Sequence, residues 1–198
     1  LAEEAGDHLQ VLAARHRLLH RSRLAGQPDQ RTNPVGVAQG VHPGNVQEIL
    51  DLGRHGVHLS RTSGLWTAVK IVTSVADGSG TAEVDPDRVK PLVPEFEWKG
   101  RPYRPRANGR LAGAPANSIE EEIYDARLPL ALRYGAENNL NKITINPRDA
   151  WFGILASGRV YHEILEAAHV LDLSPRDLHD NGIRVLQMSM PHPFDREI

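Results

Sequence analysis

The sequence predicts an α/β fold of short strands alternating with amphipathic helices, and two observations carry that expectation. Apolar residues recur at helical spacing after Asn45, after Ser118 and after Gly158. Between and beyond those stretches lie brief runs rich in β-branched or wholly apolar residues, bounded by Gly, Asn and Pro. In residues 151–188 the order is strand, helix, strand, the pattern of a right-handed crossover between parallel strands.

The elements follow in chain order. Residues 8–27 hold Arg15, Arg17, Arg21 and Arg23 with three histidines and no acid, a marginal basic helix followed by a polar loop. Asn45 and Glu48 have the spacing of a capping box, so a helix is expected from there to about Ser60. Its apolar face is read as Val46, Ile49, Leu50, Gly53 and Val57. Residues 65–72 read as a strand, 77–80 (Asp-Gly-Ser-Gly) as a turn, and 81–84 as a short extended piece. Six prolines and five arginines between Pro86 and Pro115 mark an extended arm lying along a protein surface and joining two domains. Ser118 and Glu121 suggest a second capping box, opening a helix with Ile119, Ile123, Leu130, Ala131 and Tyr134 on one face. Pro129 must kink or split that helix, and Asn138-Asn139 end it. Residues 142–145 form a strand, and 151–157 are apolar throughout, as a buried parallel strand would be. A helix carrying Val160, Tyr161, Ile164, Leu165, Ala168 and Leu171 follows, then a short helix from Ser174-Pro175 and a last strand from Ile183.

Composition narrows the function. A length of 198 residues suits one large domain or two small ones. A net charge of −2 argues against a dedicated nucleic-acid binder, although the basic N-terminal arm keeps a salt-dependent contact as a weak option. With no cysteine, the chain ligates no iron–sulfur cluster or thiolate zinc and forms no disulfide. No apolar run nears the roughly 20 residues of a membrane-spanning helix, and residues 1–40 hold no signal-peptide core. A cytoplasmic location and no membrane partner are expected. The chain starts with Leu1 and stops at Ile198 just past a strand, so both ends are expected to be cut.

Candidate sites are weighed and set aside. His16/His20 and His55/His58 have ligand spacing but no third ligand, so surface histidines are expected. Glu166 and His169 match a di-iron spacing, yet their helix belongs to a βαβ unit rather than a four-helix bundle. Ser157-Gly158, between strand and helix, suits a tight turn better than a phosphate loop, and Asp77-Gly78-Ser79-Gly80 reads the same way. No nucleophile elbow, phosphate-loop lysine or Cys nucleophile is present. No catalytic, cofactor-binding or metal residue is therefore assigned.

Five stretches in series carry a resemblance. These are 46–53 (VQEILDLG), 59–66 (LSRTSGLW), 84–89 (VDPDRV), 151–158 (WFGILASG, with Tyr161 after it) and 182–186 (GIRVL). Together they resemble bacterial fused indolepyruvate ferredoxin oxidoreductases, with order and spacing held from about Pro43 to Phe194. The resemblance implies part of a thiamine-diphosphate enzyme that oxidatively decarboxylates arylpyruvates, forms acyl-coenzyme A and passes electrons through iron–sulfur centres to ferredoxin. It implies that residues 43–85 close a pyrimidine-binding domain, that 86–116 are the linker arm, and that 117–198 resemble the transketolase C-terminal domain.

On this reading the activating glutamate, the diphosphate and magnesium site and the [4Fe-4S] ligands lie outside the chain, which binds no cofactor alone and is inactive alone. Its partners would be the rest of the parent polypeptide, with ferredoxin and coenzyme A serving the parent enzyme, in a homo-oligomer. Residues 1–42 depart from the family, and a wrong reading frame resuming near His42 would account for their composition; disorder is expected there. The alternative is a non-catalytic assembly or interaction module of α/β type.

Overall fold

A computed structural model of the chain describes residues 38–106 and 114–198. The basic arm, with its arginines and the His16/His20 pair, lies outside the described residues. Residues Ala38–Ile198 form one compact unit.

The chain first builds a crossover that the sequence did not announce. Strand β1 (Ala38–Val41) leads through helix α1 (Val46–Ser63) to β2 (Trp66–Val69), and the two strands pair in parallel, Ala38 opposite Trp66 and Val41 opposite Val69. The buried stripe of α1 is Leu52, Gly56, Leu59 and Ser63, not the predicted face: Leu50 and Val57 are exposed. The sheet decides the rotation. A Cβ on Gly56 would sit 3.4–3.8 Å from methyls of Thr67, Val41 and Val69, so the helix lies on the strands where its side chain is smallest. Gly64 ends α1 in the left-handed conformation (φ 69°), and its N–H bonds to the Ser60 carbonyl. After β2 comes a single helical turn, α2 (Thr73–Ala76), and residues 81–84 run on without forming a strand.

The described part of the proline-rich stretch is pinned at several points. Arg88 pairs with Asp51 (3.2 Å) and Glu83, and the Leu92 backbone exchanges two bonds with the Asn138 side chain (2.7 and 2.8 Å). Strands β3 (Glu97–Trp98) and β4 (Arg101–Pro102) form a hairpin whose two loop residues, Lys99 and Gly100, both have positive φ.

Helix α3 (Ala114–Glu122) begins four residues before Ser118, so Ser118 lies inside the helix and is not its cap. Pro115 occupies the first turn, where a missing N–H costs nothing. A π-helical turn, Ile123–Arg127, joins α3 to α4 (Leu128–Glu137) without a break. Pro129 is the cause: it cannot bond the carbonyl four residues back and its ring crowds it, so the helix widens just ahead of it instead of splitting.

The last part is a three-stranded sheet of order β5-β7-β6. Here β5 (Asn141–Ile145) runs antiparallel to β7 (Ile183–Met188), and β6 (Phe152–Ala156) runs parallel to it. Helices α5 (Arg159–Val170) and α6 (Pro175–Asp180) make the predicted crossover between β6 and β7. Ser174 and Asp177 cap α6 reciprocally. β6 is only half buried, contrary to its apolar sequence: Ile154 and Ala156 face the helices, while Leu155 is 54% exposed.

Two cores hold this together. One joins Val41, Leu52 and Leu59 to Ala131, Tyr134, Leu140 and Met190, drawing on both sides of the proline-rich stretch. The other lies under α5 and α6, around Ile145, Ala156, Tyr161, Leu178 and Val185.

Candidate functional site

The two crossovers meet where the turn before α1 touches the turn before α5. A Cβ on Gly44 would fall 2.5 Å from the Gly158 carbonyl and 2.5 Å from His162 Cδ2, so only glycine permits this approach. Gly158 itself has φ 56° and ψ −134°, a conformation open to glycine. The Ser157-Gly158 pair predicted as a tight turn is thus a contact surface as well. Ser157 Oγ is buried there without a hydrogen-bond partner.

Around that contact a polar cluster closes. The Asn45 side chain accepts the Glu48 N–H at 2.8 Å, as the capping pattern predicts. The Glu48 carboxylate reaches one residue beyond the expected box, accepting the Gly44 N–H at 2.7 Å. Its other oxygen accepts from Gln187 Nε2 of β7 (2.8 Å) and lies 2.9 Å from His162 Nε2 of α5. Burial would raise the Glu48 carboxyl, but the bonds from His162, Gly44 and Gln187 outweigh it and hold the group below the usual carboxylate range. A carboxylate with every oxygen engaged by donors is a poor proton acceptor, so the cluster ties elements together rather than moving protons.

Beside the cluster is a cleft of about 370 Å³, between Gly44–Gln47, Ser74-Val75, the Gly78–Thr81 loop and Arg159. The predicted 77–80 turn is therefore one wall of a concave surface. Arg159 spends its guanidinium on Glu163 (3.2 Å).

The remaining candidates lie apart from this place. His55 Nδ1 is 3.0 Å from the Tyr134 hydroxyl with the rings edge-on, while burial and then neighbouring His58 lower the His55 pKa. His55 is half-buried against Tyr134 rather than free on the surface. Glu166 and His169 are exposed on α5. Among the described residues, no three His, Asp or Glu converge as metal ligands.

A second buried polar group went unforeseen. Arg127, 8% exposed, donates to Glu122 (3.0 Å), to the Gly64 carbonyl (2.9 Å) and to the Arg106 carbonyl (3.0 Å), and Tyr103 donates to the same Glu122 oxygen at 2.5 Å. Burial, then the Glu122 carboxylate, push the Tyr103 hydroxyl far above its ordinary range.

The described residues define an α/β protein of two parallel crossovers clamped at a glycine contact, with a carboxylate-centred tie beside it. Among these residues, no helix is long and apolar enough to cross a membrane.

No family model matches the chain. The indolepyruvate oxidoreductase subunit IorA of Methanothermobacter thermautotrophicus is 24% identical over 154 residues, 78% of this chain and 22% of the relative. Its counterpart from Methanothermobacter marburgensis is 23% identical over the same shares. The chain thus matches about a fifth of the length of these curated relatives (22%). Both relatives are indolepyruvate oxidoreductase subunits, and the chain is distantly similar to each.

Proposed function

We propose that the chain is a non-catalytic α/β part of a thiamine-diphosphate-dependent 2-oxoacid:ferredoxin oxidoreductase of the fused bacterial type. The parent enzyme oxidatively decarboxylates indolepyruvate or a related 2-oxoacid to an acyl-coenzyme A, with ferredoxin as acceptor, in the cytoplasm. The chain is an internal fragment, inactive alone, and its role is to build and brace the assembly. Residues 43–85 belong to a pyrimidine-type domain and 117–198 to a transketolase-C-terminal-like domain. Its first partner is the remainder of the parent polypeptide, within a homo-oligomer.

The observation that carries this reading is the 154-residue similarity to the two archaeal subunits, too long to fall within either crossover alone. The parallel crossover β6–α5–α6–β7 supports the α/β assignment. The described residues do not fit thiamine diphosphate or magnesium as resident groups, and a chain without cysteine does not fit a thiolate-held iron–sulfur cluster. Glu48, the carboxylate beside the cleft, is already engaged on both oxygens. No cysteine is available, and no trio of metal-ligating side chains converges among the described residues. The reading therefore puts all three groups on the rest of the parent.

Joining the chain to the thiamine-binding and cysteine-rich regions of its parent gene tests the reading. Indolepyruvate-dependent, coenzyme A-dependent reduction of ferredoxin that requires this segment is the expected result. Full activity without the segment sinks it and favours the assembly-module alternative. Calorimetry on the chain alone is expected to show no saturable binding of thiamine diphosphate.

A further inference from the structure

The three-stranded sheet is covered by α5 and α6 on one face. Ile183 and Val185 of β7 and Ile154 and Ala156 of β6 pack under those helices. By alternation, Gly153 and Leu155 of β6 and Arg184 and Leu186 of β7 point the other way. The register brings them side by side: Gly153 lies opposite Arg184, and Leu186 stands between Leu155 and Ile143 of β5. The flanking pair are open to solvent, Leu155 54% exposed and Ile143 39%, and a Cβ on Gly153 would meet no atom within 4 Å. Strands paired in parallel are normally buried on both faces, so this face lacks its cover.

Arg184 tells what chemistry the cover carries. Its Nε is buried without a hydrogen-bond partner, and one Nη donates to the Pro147 carbonyl at 3.2 Å. Among the described residues no carboxylate pairs with it. A guanidinium is a planar fork of donors whose complement is a carboxylate held by two parallel bonds. We propose that this face docks an amphipathic helix of the parent polypeptide, its apolar stripe across Ile143, Leu186 and Leu155 and a carboxylate on Arg184.

The source of that helix rests on the oxidoreductase reading above. The match covers 22% of each relative, so most of a relative's polypeptide lies beyond it. The row of three apolar side chains spans two strand spacings, roughly 10 Å, the width of one helix. Gly153 leaves a hollow beside that row for a large side chain. A second copy of the same face would bring another guanidinium and, from these strand residues, no carboxylate. The face is therefore complementary to an acidic partner and not to itself.

The chain has no cysteine, so Leu155→Cys places a single thiol of its own on the face. Its alkylation by iodoacetamide, read by mass spectrometry on the peptide that carries it, is compared between the chain alone and the chain joined to the rest of its parent. Joining is expected to slow the reaction at least about tenfold, and an unchanged rate overturns the proposal. Arg184→Glu in the joined protein is expected to restore most of the lost rate, whereas Arg184→Lys keeps the protection. Protection that ignores the charge reversal overturns the acidic partner. If Arg184→Glu does not fold, carbodiimide coupling of the Arg184→Lys amine decides. An amide bond to an Asp or Glu on an amphipathic segment of the parent is expected; a bond to a second copy of this chain, or none, overturns the proposal. Ferredoxin reduction read in parallel separates the two readings. Activity with an open thiol sinks the dock alone, and a protected thiol without activity sinks the enzyme reading and supports the dock.

Discussion

The two crossovers share a plan, parallel strands bridged by helix, and differ in what fills them. The β6–α5–α6–β7 unit packs aliphatic and aromatic side chains, Ala156, Tyr161, Leu178 and Val185, under its helices. The β1–α1–β2 unit closes its helix onto the strands through Gly56 and buries polar side chains, Gln39 and Ser63, which bond each other at 2.5 Å. Its two strands are covered on one face only: Trp66, on the opposite side, is 87% exposed. An oily core makes a unit readable from its pattern, whereas a close-packed, partly polar one hides from it.

The largest effects should come from emptying the two cores. Leu59→Ala and Leu178→Ala should each cost about 3 kcal/mol. If the crossovers unfold together, both substitutions shift one denaturant transition; two separable transitions would show that the core reaching Met190, just past β7, does not couple them. Next comes Gly44→Ala, which drives a methyl into the Gly158 carbonyl and should cost about 2 kcal/mol, with greater protease susceptibility at the contact. Wild-type stability would show that the backbones do not need this approach.

Helix caps come third. Asn45→Ala should cost about 1 kcal/mol, and Ser174→Ala on the more exposed α6 should cost less, read as paired urea midpoints. Acid sharpens the contrast. The Glu48 carboxyl is depressed in the folded chain, so it adds stability above the ordinary carboxylate range and loses it as pH falls through its lowered value. Glu48→Gln should flatten that acid limb of the stability profile. The smallest effect belongs to Trp66→Ser, expected to change stability by no more than about 0.5 kcal/mol, because the ring is already in solvent.

Legibility followed chemistry residue by residue. Helices α1, α5 and α6 and strands β6 and β7 declared themselves by apolar spacing or apolar runs, and by Asn45 and Ser174 at helix starts. Strand β1, Ala-Gln-Gly-Val, carries neither alternation nor bulk and is a strand only because β2 pairs with it. The buried face of α1 was misread because hydrophobicity pointed at Leu50 and Val57, while packing chose the position of least volume. At the tie, Glu48 was legible as a capping residue. Nothing local links it to His162 or Gln187, which lie 114 and 139 residues away in sequence.

The π turn changes which neighbours a helix can have. Five residues apart on an α-helix, at 3.6 residues per turn, two side chains point well away from each other; across the wider turn they come round to one side, and Arg127 grips Glu122. The widened turn works as a phase slip of one residue, setting α3 and α4 out of step by roughly 100°. Deleting a single residue from 123–127 would bring the helix back into step and turn everything before it relative to Tyr134. A change that a length comparison counts as trivial would there rewrite a whole face.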